Sequence, residues 1–187
     1  MDYKDLLKNR RSIRDFEDAQ VPLEIVKEII QETTLAPTAS NVQPCRFIII
    51  RDRALIKQLS DDSKRNQLMD LERAPNSRLE MYAGALRNES FNVFYNSPCL
   101  VFVIGPKTVL TLDFDSAMTV AYFMFSATQR GLGTCWINLG ANIRDPQLLT
   151  VIGIPEDCRI VAPIILGYPK SIPPVSKRHD ADIIKII

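Results

Sequence analysis

The sequence predicts one domain of mixed α and β structure, and three observations carry that reading. Residues 47–50 and 99–104 are continuous apolar runs of strand length, which fit strands buried on both faces. Residues 116–129 are uncharged, which suits a long helix buried on most sides and too short to span a bilayer. The 187 residues are enough for one domain over 1–187 with a core that needs no staples.

The elements follow in order. Residues 3–9 predict a short first helix, followed by the basic segment from Asn9 to Phe16. A second helix is expected from Pro22, a residue suited to a first turn, with Val26, Ile29, Ile30 and Thr33 on one face. Ala36-Pro37 ends it, because the residue before proline avoids the helical region. Residues 37–45 form a polar loop, and 47–50 the first strand. Residues 53–90 are mostly polar with helical stretches, and 61–78 is the least organised part, a mobile lid or a surface excursion. A strand at 99–104 lies between Pro98 and Gly105-Pro106. The long helix spans 114–130, and Gly131 stands where a left-handed cap residue belongs. A strand at 134–138, a short helix at 145–152 and a strand at 159–167 complete the domain. Pro163 asks for an edge position or a bulge in that last strand. The tail holds Pro169, Pro173, Pro174 and Lys177-Arg178 before an apolar end at 183–187, which is expected to pack, a partner subunit being one surface for it.

Composition excludes several classes. Lys plus Arg total 23 and Asp plus Glu total 22, so there is no general affinity for nucleic acid or an anionic membrane. The four cysteines, at 45, 99, 135 and 158, form no Cys-x-x-Cys pair, and His179 is the only histidine. No zinc or iron–sulfur site is expected. The start shows no apolar leader, and reduced thiols in a cytoplasmic protein are expected. Dinucleotide, phosphate-loop and nucleophile-elbow motifs are missing, so a site that holds a reactive cofactor fits better than protein-supplied acid–base chemistry.

Four segments could serve such a site. If residues 10–14 are extended, Arg10, Ser12 and Arg14 share a face, and their donors with Arg11 suit phosphate oxygens or a ring carbonyl. The loop Pro37-Thr38-Ala39-Ser40-Asn41-Val42-Gln43-Pro44 presents short polar side chains between prolines. Gly131 to Asn138 allows close approach to a flat ligand, with Trp136 as the sole tryptophan. Lys177-Arg178 adds charge if the tail returns to Arg10. Taken alone, each segment reads more readily as a solvated turn, an ordinary connection, a cap plus a strand, or a solubilising pair.

Taken together in this order, Arg-Arg-Ser-Ile-Arg-Asp-Phe, Ala-Pro-Thr-Ala-Ser-Asn-Val-Gln-Pro, Gly-Leu-Gly-Thr-Cys-Trp-Ile, Ile-Gly-Ile-Pro-Glu and Leu-Gly-Tyr-Pro resemble the FMN-dependent nitroreductase family over nearly the whole chain. The resemblance implies an α+β fold: a central, mostly antiparallel sheet flanked by helices, in an interlocked homodimer. A C-terminal arm, about 168–187, would pack on the partner, and the long helix would lie at the interface. It implies FMN as cofactor and NAD(P)H as co-substrate. Arg10, Arg11 and Ser12 match residues at the phosphate and ribityl chain, and Arg14 matches the cation by flavin N1 and O2. Pro37, Thr38, Ala39, Ser40 and Asn41 match the loop that reaches the flavin of the other subunit. Trp136, Ile137, Asn138 and Leu139 match the segment by the ring, where a backbone N–H meets N5. Lys177 and Arg178 match the basic end of the phosphate site. Cys45 stands where many members have tryptophan, and Asn138-Leu139 where smaller residues are common. The implied activity is hydride transfer from NAD(P)H through flavin N5 to a nitroaromatic or quinone, in ping-pong order. Alternatives are a specialised enzyme of the same fold, of dehalogenase or flavin-destructase type, and a flavin-binding redox sensor without turnover.

Overall fold

The computed structural model describes residues 2–74 and 77–187. Four strands form one antiparallel sheet: β1 (Arg46–Ile50), β2 (Cys99–Pro106), β3 (Gly133–Trp136) and β4 (Cys158–Gly167), in spatial order β1-β2-β4-β3. The helices are α1 (Tyr3–Asn9), α2 (Leu23–Thr33), α3 (Arg53–Arg73), α4 (Ala83–Arg87), α5 (Leu112–Gln129) and α6 (Pro146–Ile152). The α+β class and antiparallel sheet expected from the sequence are present.

Side chains alternate across each strand, so the two sheet faces carry separate cores. On one face Val101, Val103, Ile164 and Leu166 pack against Val26 and Ile29 of α2 and Val120 and Phe123 of α5. On the other, Leu100, Phe102, Ile104 and Ile165 meet Ile56 and Leu59 of α3, with Phe94. Each fully buried Leu, Ile or Phe contributes about 1.5–3 kcal/mol over its exposed state, and these two layers hold the sheet between the helices.

Several expectations need correction. The run at 47–50 is not buried on both faces: β1 is an edge strand, and Phe47, Ile48 and Ile49 are only half-buried. The long helix α5 is buried on one side only. Phe114, Met118 and Tyr122, four residues apart, stay exposed in a row on the other. The stretch expected to be least organised is largely helix: α3 runs through Arg73 with a buried polar face. Pro75 and Asn76, inside the 61–78 segment, lie outside the described residues. The strand expected at 134–138 ends at Trp136 and turns into a 3-10 turn, Asn138–Ala141.

Pro163 sits on β4, an inner strand, one residue beyond the last β3 partner. Its carbonyl accepts from Ile137 N–H at 2.8 Å. It has no N–H to return, and the Ile137 carbonyl accepts instead from Gly140 N–H at 2.9 Å. The proline therefore coincides with the end of β3, and the neighbouring ladder shifts register between Val103 and Ile104.

Candidate functional site

The basic segment is held by its one apolar member. Ile13 is 4% exposed, and its N–H donates to the Thr134 carbonyl at 2.9 Å, laying Ser12 parallel to Thr134 on β3. Gly133 makes room: a Cβ there would meet Ile13 at 2.8 Å. With Ile13 turned in, Arg10, Ser12 and Arg14 line a cavity of about 580 Å³ together with Arg11.

The tail returns to this segment. Tyr168 carbonyl accepts from Glu17 N–H, Lys170 N–H donates to Asp15 carbonyl, and Ser171 Oγ donates to Asp15 Oδ2. This brings Arg178 to the same cavity, whereas Lys177 does not line it. No carboxylate lines the cavity among the described residues. Arg11 donates to the Arg10 carbonyl at 2.7 Å, and its Nε is buried without a partner among the described residues. A guanidinium donor left unpaired among cations is suited to an anion with several oxygens. Residues 179–187 are exposed.

A second cavity, also about 580 Å³, meets the first at Arg14. Trp136, Ile137, Asn138 and Leu139 line it together with Tyr95. The Arg14 guanidinium carbon lies 5.7 Å from the Tyr95 ring centre, a cation–π contact. Tyr95 holds φ 54°, a left-handed conformation uncommon for a bulky residue.

The turn after β3 presents backbone donors. Asn138 and Leu139 open a 3-10 turn, where N–H groups have no partner within the turn, and no described residue accepts from them. The turn is fixed from behind by α3. Ser63 Oγ and Gln67 Nε2 donate to the Leu139 carbonyl at 2.6 and 2.8 Å. Asn66 Nδ2 donates to the Asn142 carbonyl, and Arg144 N–H to Asp62 Oδ2. Arg144 also pairs with Asp70, and that hydrogen bond, foremost, holds the Asp70 carboxyl below its ordinary range. Gly140 presses on Phe94, with a Cβ position only 2.2 Å from Cε1.

Cys135 is 2% exposed, and burial pushes its thiol up against the lowering influence of Arg14 and Arg10. Its burial is that of a packed thiol.

The loop Pro37, Thr38, Ala39, Ser40 and Asn41 lines neither of these cavities. It is pinned to the first turn of α5, where buried Asp115 accepts from Ala39 N–H and Thr111 Oγ1, both at 2.8 Å. Ser40, Asn41 and Gln43 have φ near +50°, and Pro37, Ala39, Ser40 and Asn41 are exposed. One chain thus unites Arg10, Arg11, Ser12, Arg14, Arg178 and residues 136–139, and leaves the loop apart. The sequence reading missed Arg78, Leu79, Met81, Tyr82 and Tyr95, which also line the second cavity. The 3-10 turn Arg78–Tyr82 carries no periodic pattern that could have revealed it. Among the described residues there is no cluster of metal-ligating side chains and no helix long and apolar enough to cross a membrane.

Comparison with known proteins sets this geometry in a family. The chain is 26% identical over 179 residues to 5,6-dimethylbenzimidazole synthase of Rhodospirillum rubrum, covering 89% of this chain and 81% of that protein. It is 25% identical over 177 residues to iodotyrosine deiodinase of Thermotoga neapolitana, covering 94% and 93%. It superposes on the crystal structure of a nitroreductase with bound FMN from Bacteroides fragilis with a TM-score of 0.84 and 21% identity, over 100% of both chains. The sequence model of the nitroreductase family matches residues 7–168, and the chain belongs to that family.

Proposed function

We propose that the chain binds FMN along the two joined cavities and acts, as a homodimer, as an NAD(P)H-dependent oxidoreductase on a small nitroaromatic or quinone. The observation that carries this reading is the junction at Arg14. On one side lies an anion cradle with an orphaned guanidinium donor, and on the other a cavity lined by Asn138 and Leu139, whose backbone N–H groups have no partner among the described residues. A phosphate ester joined to a flat heterocycle matches that pair of environments.

Arg10, Arg11, Ser12 and Arg178, with Lys177 nearby, are the phosphate-side residues. The N–H groups of Asn138 and Leu139 are the donors for the ring, beside Trp136 and Ile137. Arg14 supplies positive charge at the junction, where it offsets negative charge developing on a reduced ring. When bound, FMN supplies the redox chemistry: NAD(P)H and a proton go in with the nitro compound, and NAD(P)+, the nitroso compound and water come out. No side chain is required as an acid or base. Selectivity and rate come from orientation and the local field.

The homodimer reading rests on the exposed row Phe114, Met118 and Tyr122 of α5, a patch a soluble monomer rarely leaves open. The loop Pro37, Thr38, Ala39, Ser40 and Asn41 adjoins this face through Asp115, so a second chain docked there brings its loop towards the site. The exposed end, with Ile183, Ile184, Ile186 and Ile187, is the arm assigned to the partner.

The test is the absorbance of the purified protein before and after NADH or NADPH without oxygen. A yellow protein that bleaches supports the reading. One that stays yellow points to redox sensing or to a specialised reaction. A colourless protein that takes up no FMN sinks the cofactor assignment.

A further inference from the structure

The second cavity has a wall that the cofactor reading leaves unused. The 3-10 turn Arg78–Tyr82 borders it through Arg78, Leu79, Met81 and Tyr82. This wall is anchored: Ala83 and Leu86 of α4 are 4% and 1% exposed, and Glu80 N–H donates to the Ser77 carbonyl at 3.0 Å. Yet Met81 is 75% exposed and Tyr82 43% exposed. Apolar side chains kept open around a cavity favour a flat organic ligand that would cover them.

Charge narrows the choice. Arg14 and Arg78 are the charged residues that line this cavity, and no Asp or Glu among the described residues does. Arg14 already faces the Tyr95 ring. Arg78 is exposed at the rim of this cavity, and among the described residues its side chain has no ion-pair or hydrogen-bond partner. Glu80, on the same turn, does not line the cavity. With no partner among the described residues, the guanidinium can take an anionic group, and its fork suits carboxylate or sulfonate oxygens in pairs.

We propose that this cavity selects a flat aromatic acceptor bearing an anionic substituent, with Leu79, Met81 and Tyr82 against the ring and Arg78 on the anion. The inference rests on the oxidoreductase reading above. A neutral acceptor forgoes the Arg78 contact, and a cationic one meets two like charges.

The test uses the FMN-loaded protein reduced with dithionite and mixed with 4-nitrobenzoate or the uncharged 4-nitrobenzamide. Reoxidation is followed by flavin absorbance. Dithionite keeps the nucleotide out of the comparison. The expected result is a preference for the benzoate of about tenfold or more in apparent affinity. Arg78→Gln brings the ratio close to one by weakening benzoate binding, and Arg78→Lys keeps part of the preference. FMN content and thermal melting show whether each variant is folded. Equal use of both acceptors by the unaltered protein overturns the inference and leaves the oxidoreductase reading intact. So does an unchanged ratio in Arg78→Gln. In a separate reduction with NADPH in place of dithionite, a variant slowed only in that step assigns Arg78 to a nucleotide phosphate, which also overturns it. A protein that binds no FMN overturns the function reading and this inference with it.

Discussion

Ser63 Oγ donates to the carbonyl of Leu139 at 2.6 Å across 76 residues of sequence, and Gln67 Nε2 adds a second donor to the same oxygen at 2.8 Å. This pair explains why α3 reads as a polar stretch. Its inner face carries Ser60, Asp62, Ser63, Asn66 and Gln67, all buried, because Asp62, Ser63, Asn66 and Gln67 meet the backbone of residues 139–145 and Ser60 meets the Val93 N–H. Polar groups there satisfy carbonyls and N–H groups that a leucine would leave unpaired. The same contacts fix the turn whose residues Asn138 and Leu139 line the second cavity.

Removing the two donors separates stability from function. Ser63→Ala leaves Gln67 on the carbonyl and is expected to cost about 1 kcal/mol in urea unfolding. The double variant Ser63→Ala with Gln67→Leu strands the Leu139 carbonyl and is expected to cost about 1–3 kcal/mol more. If the turn contacts the flavin, the double variant also shifts the flavin reduction potential. A potential identical to that of the unaltered protein would show that the turn does not touch the ring.

Gly140 gives a sharper test of the same turn. A Cβ there falls 2.2 Å from Phe94 Cε1, and Phe94 is itself fully buried. Gly140→Ala must displace the ring or the turn, at a cost of about 1–3 kcal/mol for overpacking. Gly84→Ala is the control, because its Cβ position has nothing within 4 Å. Chemical denaturation of both variants should show a loss at position 140 alone.

How far the sequence reaches into this fold differs from element to element. The buried strand β2 and the left-handed Gly131, at φ 72°, were readable because local chemistry decides them. The sharing of one face by Arg10, Ser12 and Arg14 was readable once the segment is extended. Ile48 and Ile49 misled: apolar runs say nothing about whether a strand has one neighbour or two. Residues 61–73 misled for the opposite reason, since a helix with a polar buried face mimics a solvated one. Arg78 and Tyr95 were invisible, because only the tertiary fold brings them to the cavity that Leu139 lines. The loop 37–41 was found as a segment, but no single chain unites it with the arginines.

The arginine cradle predicts a discrimination between two flavins. Riboflavin lacks the phosphate that Arg10, Arg11, Ser12 and Arg178 are assigned to hold. The protein is expected to bind FMN far more tightly than riboflavin. Arg11→Ala is expected to weaken FMN by about 1.5–3 kcal/mol, on the scale of a hydrogen bond to a charged group, and to leave riboflavin nearly unaffected. Titration of the apoprotein by flavin fluorescence reads both constants. Equal losses for the two ligands would place Arg11 away from the phosphate.

Glu32 carries a pH dependence that is independent of the cofactor. Its carboxyl accepts a bidentate pair from Arg130, at 2.5 and 2.9 Å, and a third bond from Ser126 Oγ at 2.6 Å. The Arg130 hydrogen bond, then that of Ser126, lowers its pKa from the ordinary 4.5 to about 2. The folded value lies below the unfolded one, so the carboxylate adds stability above about pH 4.5. That contribution drains away as pH falls from 4.5 towards 2. The Glu32 side chain is 46% exposed, so solvent screening limits the contribution to about 0.5–1 kcal/mol. Glu32→Gln is therefore expected to lower unfolding stability by that amount at pH 7 and by much less at pH 3, with the gap narrowing further in high salt. A gap that stays constant from pH 7 to pH 3 would mean that packing of the side chain, and not its charge, ties α2 to the end of α5.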